Sequence, residues 1–98
     1  MVEIIVEKER ERRTIQVHGH AGESIVCAGV SAIAFALLGT LRNLNHCALQ
    51  TSIDAGELMI QTTTPTAECD TCIKMALIGW LQIEKAHPDD VHCTQNYF

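Results

Sequence analysis

Positive charge is scarce in this chain. Seven Lys and Arg stand against twelve Asp and Glu, a formal net charge of −5. That balance argues against a general nucleic-acid binder, which must neutralise phosphates with a basic surface. No glycine loop of the phosphate-cradling type occurs, and no pair of carboxylates is spaced for joint acid–base work. Internal linkers and low-complexity segments are also missing. A secretory leader is not expected, because Glu3 brings charge at once and no apolar stretch follows a basic start. The longest apolar segment, residues 25–41, is interrupted by Ser31 and rich in Ala and Gly. It is a little short for a bilayer span and reads as a core helix, so no membrane association is expected and the compartment is expected to be cytoplasmic. The only charge run, EKERERR at residues 7–13, alternates in sign and reads as a solvated hairpin tip.

What remains is a single domain of 98 residues, 47% of them hydrophobic. A chain of this length holds one small core, and association with a second copy would help it. Val2, Ile4 and Val6 alternate with Glu3 and Glu7, and Ile15 and Val17 alternate with Gln16 and His18. Both are strand patterns, and together they predict a hairpin. Gly19 and Gly22 then loosen the backbone before Glu23 or Ser24 caps a helix. That helix runs over residues 25–43, with Val26, Val30, Ile33, Leu37, Leu41 and Leu44 at steps of three and four. A third strand follows at residues 49–53, then the turn DAGE, then a fourth strand carrying Leu58, Ile60 and Thr62. Pro65 is placed at the first position of a second helix, which runs to about residue 86 and is stopped by Pro88. Its apolar stripe holds Ile73, Leu77, Trp80 and Leu81, and Met75 is also assigned to the core. Val91, Cys93, Gln95 and Tyr97 make a last strand. The order β-β-α-β-β-α-β is that of an α+β domain with two helices packed on a mostly antiparallel sheet.

Five cysteines (Cys27, Cys47, Cys69, Cys72, Cys93) are expected as thiols in a reducing compartment unless metal or catalysis claims them. CDTC, residues 69–72, is a C-x-x-C pair at the start of the second helix but lacks the strand context of a redox site. His46, Cys47, His92 and Cys93 are available to complete a zinc site, though none forms a second pair at finger spacing. Inert helix cysteines are the default, and neither a metal nor a cofactor is expected. The stretch HGHAGESIVCAGVSA is more specific. Cys27 falls in the first turn of the first helix, where unpaired N–H groups and the dipole favour a thiolate. His20 lies seven positions earlier at a strand end, near enough to exchange a proton with it. Spacing alone leaves three roles open for Cys27: a small buried side chain, a metal ligand, or a nucleophile beside its base.

The same stretch resembles the ribosomal-processing cysteine protease family, Prp. Gly19-His20-Ala21 is similar to the family's Gly-His-Ala segment. Ile25-Val26-Cys27-Ala28-Gly29-Val30-Ser31 is similar to its Ile-Val-Cys-Ala-Ala-Val-Ser segment, with Gly29 for Ala. The segment between His20 and Cys27 is shorter than the family's, and Ser24 stands where the family has Asp. The resemblance implies a cysteine endopeptidase with Cys27 as nucleophile and His20 as base, supported by Gly19, Gly22, Ser24 and Ser31. The substrate it implies is a protein or peptide such as the N-terminal extension of a large-subunit ribosomal protein. No cofactor and no direct nucleic-acid partner are expected, and a homodimer is expected from the small core and the helix faces rich in Ala and Gly. Backbone N–H groups of residues 26–28 are the expected oxyanion donors, and the acidic balance suits a basic peptide. The rival readings are a non-catalytic peptide-binding module on the same fold and a zinc-stabilised structural protein.

Overall fold

The alternation at the start of the chain produces the hairpin on which the other elements are laid. The structure, a computed structural model, describes residues 1–44 and 48–98. Strand β1 (Val2–Glu9) pairs antiparallel with β2 (Arg12–Gly19), with Ile4 opposite Val17 and Val6 opposite Ile15. After helix α1 (Ser24–Asn43), β3 (Leu49–Asp54) and β4 (Glu57–Thr62) form a second hairpin, and β4 pairs antiparallel with β2. Helix α2 (Ala67–Ala86) then leads to β5 (Val91–Gln95), which joins β1 in parallel. The sheet order is β3-β4-β2-β1-β5, a mixed and mostly antiparallel sheet of five strands. A parallel pair needs a long crossover, and α2 supplies it.

Strand parity sends Val2, Ile4, Val6, Ile15, Leu58 and Ile60 to one face, and all are buried there. The helices cover that face. α1 contributes Val26, Val30, Leu37 and Leu41, and α2 contributes Ile73, Leu77 and Trp80. Trp80 is fully buried, and its indole N–H donates to the Val30 carbonyl at 3.2 Å, which ties the two helices. α1 is long and apolar enough to cross a membrane by length and composition. Here its stripe is spent on the core, as expected of a core helix.

Several local expectations are revised. α2 starts at Ala67, not Pro65, because the Thr66 hydroxyl accepts the Cys69 N–H at 3.1 Å and sets the cap. Met75 is 71% exposed, since it falls opposite the stripe of Cys69, Ile73, Ala76 and Trp80. Tyr97 is buried but lies beyond the end of β5. The hairpin tip is not wholly solvated either. Arg13 is only 8% exposed, with Nε 2.7 Å from Asp70 Oδ1 and Nη2 3.3 Å from Oδ2. Tyr97 donates its hydroxyl to the same carboxylate at 3.2 Å. Alternating charges looked like solvent-facing residues, but one inward position of β2 reaches the negative first turn of α2. The Arg13 hydrogen bond holds the Asp70 carboxyl below the usual range. Burial first, and the Asp70 charge second, push the Tyr97 hydroxyl up.

The cysteines also depart from expectation. Cys69 is buried and disulfide-bonded, whereas Cys27, Cys72 and Cys93 are free. Bridging requires two thiols within a few ångströms, and spatial approach of that kind is invisible in sequence spacing. Among the described residues, no group of three or more His, Cys, Asp or Glu gathers as a metal site. His46 and Cys47 of the zinc alternative lie outside the described residues.

Candidate active site

β2 alternates strictly until Gly19. Val17 faces the core, while Gln16 and His18 face the other side of the sheet. His18 places Nε2 3.5 Å from Glu3 Oε2 and lines a shallow groove with Gln16, Ser52, Glu57 and Met59. Continued alternation would put His20 on that same side. Gly19 prevents it by taking φ +95°, a conformation L side chains rarely adopt. The local packing requires glycine as well. A Cβ there would sit 2.2 Å from the Met1 carbonyl oxygen. The Gly19 N–H donates to the Gly56 carbonyl at 3.0 Å, and the Met1 ammonium donates to the His20 carbonyl at 2.8 Å. The chain thus turns at Gly19 and delivers His20 to the core side of the sheet.

There His20 and Cys27 line one cavity of about 220 Å³, together with Gly19 and Ser31. Cys27 is the fourth residue of α1 and half-buried. Its Sγ accepts the Ala21 N–H at 3.1 Å and lies 3.8 Å from the Ala21 carbonyl oxygen. A backbone donor is therefore aimed at the sulfur. Ser31 follows one helical turn later, on the same face. The His20 imidazole rests on Gly56, whose own φ is +75°. A Cβ on Gly56 would come within 2.8 Å of Nε2. Neither imidazole nitrogen is hydrogen-bonded to Cys27 in this structure.

At the helix start, one of the two expected cap positions holds, without a side-chain cap bond, and the expected oxyanion donors change. Glu23 is the N-cap of α1, and no side chain caps the helix. The N–H groups of Val26 and Cys27 both donate to the Glu23 carbonyl, at 3.2 and 3.4 Å. They are closing the first turn, so they are not open as oxyanion donors. A helix leaves unpaired only its earliest N–H groups, here those of Ser24 and Ile25. Gly22 and Ser24 are exposed and stand outside the cavity wall.

Several residues of the site were not singled out from the sequence. Ala21 acts through its backbone, which carries no side-chain signal. Phe35 and Ile53 form an apolar wall, and the β3–β4 turn reaches the rim at Asp54, Gly56 and Glu57, although strand register turns the Asp54 and Glu57 side chains to the His18 face of the sheet. DAGE was legible as a turn, but its approach to His20 is a tertiary fact. Chemically, the cavity brings a thiol and an imidazole to one concave wall.

A family model described as cysteine protease Prp matches residues 1–92. Curated protein sequences give no match. Among solved structures, the chain is similar to the essential ribosomal processing protease Prp from S. aureus in complex with a covalently linked product peptide. The TM-score is 0.86 at 22% identity, over 98% of this chain and 100% of that one. The same protease in complex with a substrate peptide gives 0.86 at 20% identity, with the same coverage. SMU.848 from Streptococcus mutans gives 0.77 at 21% identity, over 97% of this chain and 93% of the other.

Proposed function

The chain belongs to the cysteine protease Prp family, and from that premise we propose that it is a cytoplasmic endopeptidase working through a His20–Cys27 dyad. The observation that carries the reading is the shared cavity, in which Cys27 Sγ receives the Ala21 N–H and His20 stands on the same wall. His20 is exposed, so rotation about its side-chain bonds can bring the imidazole to the sulfur when substrate binds. Catalytic hydrogen bonds are often long or absent before that point.

In the reaction, His20 takes the Cys27 proton and the sulfur attacks the scissile carbonyl. The C–N bond breaks as the imidazolium returns the proton to the leaving amine, and the acyl group stays on sulfur. Water, deprotonated by His20, then attacks the thioester and releases the acid and the thiol. No cofactor enters these steps.

The substrate we propose is an N-terminal extension of a large-subunit ribosomal protein, in keeping with the S. aureus structures that hold substrate and product peptides. We further propose a homodimer, because the outer helix faces leave Ile25, Met75 and Ile78 at least 49% exposed. The deciding experiment is mass spectrometry of extended ribosomal precursors incubated with the protein. Cleavage at one bond, lost in Cys27→Ser, supports the reading. Binding of the precursor without cleavage moves the protein to a non-catalytic peptide-binding module. Sedimentation at micromolar concentration tests the dimer, and a concentration-independent monomer mass refutes it.

A further inference from the structure

We propose that the outer edge of β3 receives the substrate as a sixth strand, its backbone paired with Leu49, Thr51 and Ile53 and leading into the Cys27 cavity; this rests on the protease reading of that cavity. The register decides which backbone groups are free. Two residues join β3 to β4, and Asp54 and Glu57 close the hairpin. A closing pair of this kind exchanges its N–H and C=O groups, and bonded pairs recur at every second residue. Gln50, Ser52 and Asp54 therefore bond to β4, while Leu49, Thr51 and Ile53 turn their N–H and C=O groups outward. β3 is an edge strand, and these outward groups have no partner among the described residues.

The opposite edge of the sheet is blocked. On β5 the Val91 N–H donates to the His87 carbonyl at 3.1 Å, and the Cys93 N–H donates to Glu84 Oε2 at 2.7 Å. An open strand edge is a template for pairing with another chain, and proteins ordinarily cover it. The edge left open here is the one that ends at the candidate active site. Ile53 shares the face of Leu58, its partner on β4, and lines the cavity with Cys27 and Phe35. Ile53 is 48% exposed and Phe35 54% exposed. A peptide residue opposite Ile53 would point to that same face and cover both. Residues opposite Thr51 and Leu49 would follow at about 7 Å for each two residues, progressively further from Cys27. The occupant that fits is an extended peptide, because its own N–H and C=O groups are unpaired and can complete the ladder.

The probe is a fluorescein-labelled dodecapeptide spanning the end of the N-terminal extension of the ribosomal precursor, with one backbone nitrogen methylated at a time. Turnover is measured with the wild type, and binding by fluorescence anisotropy with Cys27→Ala. Methylation is expected to weaken binding about three- to tenfold at two or three alternate positions, with the positions between them unaffected. Thr51→Pro removes an outward donor and leaves the bonds to β4 in place. It is expected to raise KM by a similar factor with kcat and Tm little changed. Ser52→Pro, whose N–H faces β4, is expected to lower Tm. If Thr51→Pro fails to fold, the methylation series decides by itself, since it leaves β3 unaltered. Losses at consecutive positions, losses at no position, or absence of binding overturn the proposal, as does a Thr51→Pro protein that melts normally and keeps its KM. If the peptide binds with alternate losses and is never cut, the protease reading fails and strand addition at β3 stands.

Discussion

Replacing Gly19 by alanine tests how the fold delivers His20. At φ +95° an L residue pays backbone strain of about 1–3 kcal/mol. The new Cβ would stand 2.2 Å from the Met1 carbonyl oxygen, a backbone atom held in the β1 start. Relieving that overlap by shifting the strand ends costs roughly another 1–3 kcal/mol. Together the loss is about 4 kcal/mol, which for a domain of this size lowers Tm by roughly 15–30 °C. The usual stability of a domain, about 5–15 kcal/mol, leaves the variant folded at room temperature. Its activity is expected to fall further than its stability, because relaxing φ turns the chain back toward strand alternation and carries the imidazole away from Cys27. Loss of a general base typically costs about 10²–10⁴ in rate. The control is Gly39→Ala, in the interior of α1 with nothing within 4 Å of the added carbon. It is expected to gain about 0.5–1 kcal/mol with unchanged cleavage. Thermal melts and peptide turnover of both variants are the assay. A Gly19→Ala protein that melts like wild type refutes the strain argument, and one that melts early but cleaves normally refutes the link between Gly19 and His20.

Further outcomes are expected from the same structure. Cys27→Ser and His20→Ala should each abolish cleavage while His18→Ala retains it, since His18 faces the opposite side of the sheet; loss in His18→Ala alone would assign the base wrongly. Limited iodoacetamide labelling with peptide mapping should mark Cys27 well before Cys93, whose thiol is pushed up to about 11 by burial and then by Glu84; faster labelling of Cys93 would contradict this. Asp70→Asn should destabilise the protein by about 1.5–3 kcal/mol at pH 7, because charge-assisted hydrogen bonds to Arg13 are lost. The Asp70 carboxyl is held low in the folded state, so its contribution is full above the unfolded value near 3.9 and drains as pH falls through the folded one. Melting curves of wild type and Asp70→Asn should therefore converge in acid, and a constant gap across pH would disprove the linkage.

Much of this protein was determined by local pattern alone. Two-residue alternation in β1 and β2, the three- and four-residue spacing of Val26, Val30, Leu37 and Leu41, and the DAGE turn are each short-range, and each formed where expected. So did the order of elements, because alternation and helical period leave few other ways to bury one apolar face apiece. Cys27 was legible as a candidate from its position in a helix start, and His20 from its nearness in sequence. Sequence could not say which histidine shares the cavity with the thiol. His18 and His20 have the same strand parity, and the positive φ of Gly19, at a position where the Met1 carbonyl leaves no room for a Cβ, separates them. Nor could it tell that Arg13 turns inward to Asp70, that Cys69 is bridged, or that Val26 and Cys27 spend their N–H groups on Glu23. Gly56 meets the His20 imidazole only because β4 pairs with β2 and carries its turn beside Gly19. Such facts depend on atoms far apart in the chain meeting within a few ångströms, and local preference holds no record of those distances.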